Sequence, residues 1–250
     1  MYHGVSAVGG GSVNPHCLAE RCFSVQIRHL AASGRNVVPW TQMASAASAE
    51  TRAVGITFDD ANRSDIGCSH VLECMGYSGL FFVPTEYVDR EGRLTRYDIA
   101  DLWRRGMGIG SHAHRHAPLV RLGDAELARD LATSKSILED IVGARIVHLS
   151  FPGGAYDARV LAAARAVGYE RFYTSDWGSN GGREADRGVL RRIAIVDGLG
   201  IDAFDDVLDT RYRRGMPAGF WVKEVAKHAL SERTYLRARR IFVKRRLRND

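Results

Sequence analysis

Eight short apolar or β-branched runs recur along the first 200 residues, and helical patterns separate most of them. They fall at 1–5, 36–39, 53–58, 79–83, 107–111, 146–151, 171–175 and 189–195. Apolar runs of about 4–8 residues suit strands buried on both faces, and parallel pairing of such strands needs crossover helices between them. The spacing therefore constrains the chain to an α/β fold on a mostly parallel sheet. Helices are expected at 17–33, 64–76, 97–105, 124–142 and 156–168. The segment 124–142 is the clearest, with Asp124 at its start and Leu127, Leu131, Ile137, Leu138 and Ile141 approximating one stripe. Gly143 stands at its end and Gly168 closes 156–168 in the same way, as left-handed helix ends require.

The chain is long enough, at 250 residues, to bury a substantial core, and 45% apolar with 26% charged residues is ordinary for a globular protein. No run approaches the roughly 18 apolar residues of a membrane span. The start Met1-Tyr2-His3-Gly4-Val5 lacks the basic and apolar stretches of a secretion signal, so a cytoplasmic location is expected. Cys17, Cys22, Cys68 and Cys74 show no CxxC spacing and read as free thiols. Charge is unevenly distributed. Residues 211–250 hold 13 Lys/Arg against 3 Asp/Glu, a local balance of +10 within a total of +6. The body is mildly acidic and the tail strongly basic, which divides the chain into a domain over 1–208 and a basic amphipathic helical tail over 209–250.

Two strand ends carry most of the chemistry. Ala53-Val54-Gly55-Ile56 leads into Thr57-Phe58-Asp59-Asp60, and Met107-Gly108-Ile109-Gly110 leads into Ser111-His112-Ala113-His114-Arg115-His116. Two carboxylates after a buried strand can be a simple turn pair. They also repel one another unless a cation or proton resolves them. His112 and His116, four apart, can converge on one ion if their segment turns helically, which puts His114 on the other face. One carboxylate with two imidazoles makes a three-ligand set for a divalent metal, and the spare carboxylate is then placed to take a proton from bound water. Phe151-Pro152-Gly153-Gly154 reads either as a Pro-Gly turn or as a backbone that approaches a ligand closely, with an N–H for an oxyanion. Trp177, at the end of the 171–175 run, suits stacking on a sugar face or packing equally.

In order, Tyr2-His3-Gly4-Val5, Thr57-Phe58-Asp59-Asp60, Phe81-Phe82-Val83-Pro84-Thr85, Ile109-Gly110-Ser111-His112-xxx-His116, Ser134-Lys135-xx-Leu138-Glu139 and Phe151-Pro152-Gly153-Gly154-Ala155-Tyr156-Asp157 resemble the polysaccharide deacetylase (NodB-like) family over roughly residues 1–200. The resemblance implies a distorted, incomplete (β/α)-barrel of about seven strands. It implies a zinc or similar ion on Asp60, His112 and His116, Asp59 as base, and Pro152, Gly153 and Gly154 at the oxyanion and substrate position. The chain departs from the family pattern in four places. Ala61 replaces the glycine after the Asp pair, Ala113 the small hydroxyl residue after the first His, and Ser150 an arginine that orients the base. The late Leu-x-His that supplies the acid is absent from Val189-Leu190-Arg191-Arg192-Ile193, which leaves His3, with His148 behind it, as candidate proton donor.

The resulting expectation is a metal-dependent hydrolase that removes an N-acetyl group from an amino sugar in a glycan, lipid-linked or oligosaccharide substrate. The alternatives are a carbohydrate-binding barrel without catalysis, or a deacylase or deformylase acting on another amide. Apolar residues interleave with Lys/Arg over 220–248, which suits either a basic helix packed on the barrel or one drawn to an anionic membrane surface. Nucleic acid is not expected as a partner, because the basic residues are confined to the tail.

Overall fold

The computed structural model describes residues 1–7, 9, 16–48, 53–181 and 187–209. Its centre is a six-stranded, all-parallel sheet of β5 (Thr57–Phe58), β6 (Leu80–Val83), β7 (Gly108–Ser111), β8 (His148–Ser150), β9 (Arg171–Tyr173) and β10 (Val189–Leu190). Spatial order follows chain order, as in a barrel wound in one direction. Two small parallel pairs flank it: β1 (Gly4–Ser6) with β2 (Cys17–Ala19), and β3 (Asn36–Val37) with β4 (Ala53–Val54). The N-terminal segment touches both edges of the central sheet. Tyr2 bridges to Phe58 of β5, and the Ile195 amide beyond β10 donates to the Met1 carbonyl. The sheet thus curls into the distorted, incomplete (β/α)-barrel expected from the sequence, with six paired strands and a bridge where a seventh would lie.

Helices α1 (Glu20–Ala32), α2 (Met43–Ser48), α3 (Asp65–Cys74), α4 (Arg96–Arg104), α5 (Asp124–Val142), α6 (Ala158–Val167) and α7 (Ile201–Leu208) complete the described part. Helix α5 buries Leu127, Leu131, Ser134 and Leu138 and ends on left-handed Gly143. Helix α6 is capped by the Asp157 carboxylate, which accepts from the Val160 amide. Two expected elements divide differently. The run 53–58 breaks at Gly55, where a side chain would collide with Met43, so its halves pair with different strands. The helical stretch 17–33 opens with three strand residues, which pair with β1. The short α2 and α7 were not expected.

Inside the barrel, Val38, Met43, Leu80, Phe82, Tyr173 and Leu190 form an apolar floor, with Trp40 packed against it. Gly108 and Gly110 make room for it: a Cβ at either would lie 2.6 Å from the Trp40 or Phe82 ring. The chemistry-bearing residues sit above this floor, at the C-terminal ends of the strands. All four cysteines are free. Among the described residues, no helix is long and apolar enough to cross a membrane. Apart from Asp209, the expected tail over 209–250, with its amphipathic segment 220–248, falls outside the described residues.

Candidate metal centre and base pocket

Adjacent residues on a strand face opposite ways, so both carboxylates of an Asp-Asp pair reach one site only if the strand ends there. Strand β5 stops at Phe58, and Asp60 and Ala61 are left-handed, with φ of 79° and 51°. Asp59 therefore stays inside while Asp60 swings to the rim. Arg93 holds this turn, donating to the Asp60 carbonyl at 2.9 Å and to Asn62 Oδ1 at 2.8 Å.

The end of β7 supplies the imidazoles. Asp60 Oδ1 lies 3.1 Å from His116 Nε2 and 3.6 Å from His112 Nε2. One ligand atom from each of these three residues falls within 4.8 Å of the others. Ligand atoms about 2.1 Å from a tetrahedrally bound ion stand roughly 3.4 Å apart, so the residues fit a zinc-sized ion. The protonation states fit too. Burial lowers the pKa of His112, against the pull of Asp59 and Asp60. Burial would raise Asp60, but its bond to His116 and the nearby His112 and His3 bring it below the usual carboxylate range. His112 Nδ1 faces the Ser150 carbonyl at 2.9 Å, so that nitrogen carries the hydrogen and Nε2 presents its lone pair to the site.

Asp59 occupies a sealed pocket beside this cluster. Arg192 grips it with two parallel bonds, Nη1 to Oδ1 at 2.6 Å and Nη2 to Oδ2 at 2.8 Å. The Ser150 hydroxyl donates to Asp59 Oδ2 at 3.2 Å and lies 2.7 Å from Arg192 Nη2. Arg192 Nε donates to the Thr174 carbonyl, and its guanidinium rests over Phe82, 5.1 Å from the ring centre. Burial alone would raise the Asp59 pKa; the Arg192 charge, then His112 and His3, hold it well below the usual range. Asp59 is thus an anion at any working pH, with Oδ2 only 3.8 Å from His112 Nε2.

The sequence reading missed Arg192. The place of the expected arginine holds Ser150, and the place of the expected Leu-x-His histidine holds Arg192. A signal existed, since Arg192 follows Leu190 at the two-residue spacing of one strand face, and Leu190 points into the barrel.

The remaining candidates lie at different distances from this centre. His3 feels the charges of Asp59 and Asp60, yet burial lowers it to about 4, and its Nδ1 has no hydrogen-bond partner among the described residues. Its ring lies 4.8 Å from that of His16. His148 belongs to the floor instead, bonded to the Tyr173 hydroxyl at 3.1 Å with Trp40 edge-on, and burial lowers it to about 4. His114 turns away to Thr85, but the segment is not the helical turn expected from the spacing, since Ala113 and His116 are left-handed. Pro152 and Gly154 are buried, and Gly153 is the exposed tip of a left-handed turn, with φ of 66°. The Phe151 and Tyr156 rings stack, and the Tyr156 hydroxyl donates to Asp176, tying this turn to the half-buried Trp177 segment.

A family model described as polysaccharide deacetylase matches residues 46–172, just over half of the chain. The chain belongs to the polysaccharide deacetylase family. Among individual relatives, YxkH of Bacillus subtilis (strain 168), assigned by name to the polysaccharide deacetylases, is 24% identical over 160 residues. That match takes in 64% of this chain and 57% of YxkH, so this chain spans little more than half of that relative. Among solved structures, a Bacillus cereus polysaccharide deacetylase superposes with a TM-score of 0.73 at 20% identity, over 83% of this chain and 67% of the other. Streptococcus pyogenes deacetylase PplD, solved with acetate, superposes with a TM-score of 0.75 at 18% identity, over 83% and 96%. At such identities these two likenesses speak to the fold.

Proposed function

We propose that this protein is a metal-dependent N-deacetylase that frees the amine of an acetylated amino sugar in a glycan, lipid-linked or oligosaccharide substrate. The observation that carries the reading is the placement of an ionised, sealed Asp59 within 3.8 Å of the His112 nitrogen that faces Asp60 and His116. A zinc ion on Asp60, His112 and His116 would polarise the acetyl oxygen and acidify water. Asp59 accepts the proton of the attacking water, and Arg192 and Ser150 hold its carboxylate in place for that transfer. In this reading the Gly153 N–H would serve the developing oxyanion, and Trp177 would stack on a sugar face. His3, buried beside both carboxylates, is the candidate that hands a proton to the leaving amine.

The test is acetate release from N-acetylglucosamine oligomers, with and without a chelator, and then in Asp59→Asn. Activity that survives both treatments overturns the reading. Retained glycan binding without acetate release would make the protein a carbohydrate-binding barrel instead, a reading that the arginine in the acid's position favours.

We also propose that the enzyme works at the cytoplasmic face of a membrane, held by its basic tail. Each Lys or Arg near an anionic surface contributes about 1 kcal/mol, and 13 lie within residues 211–250. Full-length protein should bind vesicles containing phosphatidylserine in a salt-sensitive manner. Equal binding by a chain ending at residue 210 disposes of the idea.

A further inference from the structure

The metal-ligand loop 112–116 cannot hold its own shape. Both Ala113 and His116 are left-handed, with φ of 61° and 56°. Neither residue has the glycine or asparagine that relieves such a backbone. Outside the loop, helix α5 presents two buried polar side chains one turn apart on the face that meets β7: Asp130 and Ser134.

We infer that Asp130, assisted by Ser134, is a positioning residue that moulds this loop into the shape in which His112 and His116 share one ion. Its carboxylate accepts three hydrogen bonds from the loop: the His114 amide at 2.8 Å on Oδ1, and the Arg115 amide at 3.3 Å and Arg115 Nε at 3.0 Å on Oδ2. The Ser134 hydroxyl lies 2.7 Å from that of Ser111, which accepts from the Ala113 amide at 3.0 Å. The carbonyls of Ala113 and His114 accept from the amides of Thr85 and Glu86, and the His112 amide donates to Val83. Every amide from 112 to 115 is therefore committed, and two of the four end on one carboxylate. The middle of α5 thus fixes the loop from outside. A buried carboxylate that accepts two amides and a guanidinium cannot be replaced by an amide side chain, because a carboxamide has one accepting oxygen.

This inference rests on the metal site proposed above, and its test reads metal affinity directly. The zinc dissociation constant of the metal-free protein is measured by competition with a chromophoric chelator, for the parent, Asp130→Asn, Asp130→Ala and Ser134→Ala. Asp130→Asn and Asp130→Ala are expected to weaken zinc binding by about 10–100-fold, the range found when groups that orient metal ligands are lost. Ser134→Ala should weaken it less, and Glu126→Gln, which removes only the rim partner of Arg115 at 2.7 Å, should leave it unchanged. Thermal unfolding of each metal-free variant separates the roles, since a merely structural Asp130 would lower the melting temperature and leave affinity intact. Parental zinc affinity in a folded Asp130→Asn overturns the inference. Should neither Asp130 variant fold, parental affinity in Ser134→Ala overturns it equally. A parent protein that binds no divalent ion overturns the metal site itself, a different result from parental binding that Asp130 does not influence.

Discussion

The two halves of the candidate site are built on opposite principles. The metal half is open: Asp60 and His116 keep 26% and 28% of their side-chain surface in contact with solvent. Its residues come from two loops, and its geometry depends on left-handed backbone at Asp60 and His116. The base half is closed: Asp59 and Arg192 keep 3% and 5%. Its members stand at the ends of different strands, and the Arg192 guanidinium rests over the Phe82 and Tyr173 rings. An ion and a substrate would need access, and Asp60 and His116 stand at the rim, while His112 keeps only 3% of its side chain exposed. A carboxylate that must stay ionised and aimed is better fixed by a neighbour that water cannot displace, because a buried ion pair is screened little. One half should therefore fail in function when cut, and the other in folding.

The largest effect should come from the open half. Asp60→Asn or His112→Ala is expected to abolish stoichiometric metal binding and to lower acetate release by about a thousandfold or more, since a lost metal site forfeits several kcal/mol of transition-state stabilisation. For Asp60→Asn, whose side chain is partly exposed, the melting temperature of the metal-free protein should stay within a few degrees of the parent. A deacetylase that survives these changes breaks the division of labour.

Next comes the closed half. Arg192→Ala strands a buried carboxylate and should cost about 3–5 kcal/mol of stability in urea unfolding. Arg192→Lys keeps the charge but not the two-pronged grip, so it should unfold less readily than Arg192→Ala while still losing activity. Equal stability for Arg192→Ala and the parent would mean that the pocket is not sealed.

The barrel floor gives a pH signature. His148 titrates at about 4 in the fold against an ordinary 6.5, so the unfolded chain binds its proton first as pH falls. Its stabilising effect is complete above pH 6.5 and is lost as pH falls toward 4, a change of about 3 kcal/mol. Urea midpoints at pH 4.5 and 7.5 should differ less in His148→Gln than in the parent. An unchanged difference would place the acid sensitivity elsewhere.

The smallest effect belongs to the rim. Trp177→Ala should raise the KM for an N-acetylglucosamine oligomer roughly two- to tenfold, the worth of one aromatic contact at about 0.5–1.5 kcal/mol, without changing stability. No change in KM would make the indole a packing residue.

Legibility followed the same divide. The metal half was readable because Asp60, His112 and His116 lie in two short motifs, where covalent spacing already limits how far apart the ligands can be. The closed half was not. The stretch holding Arg192 read as a missing histidine and Ser150 as a missing arginine, although the two share a single pocket with Asp59. Element types were mostly legible, and the exceptions were tertiary in origin. The 53–58 run is split because its first half pairs with β3 and its second with β6, and the start of the 17–33 helix became a strand because β1 lies beside it.

By itself, the order of residues determined a parallel α/β body, the loop that can hold an ion, and the surplus of positive charge in the tail. These depend on periodicity, short spacing and composition, which no fold can alter. Only the tertiary structure decided which cation faces Asp59, and that the loop carrying the imidazoles is held by a helix 15 to 23 residues further along the chain. Those contacts join strand ends and a helix far apart in sequence, and they exist only once the sheet has curled.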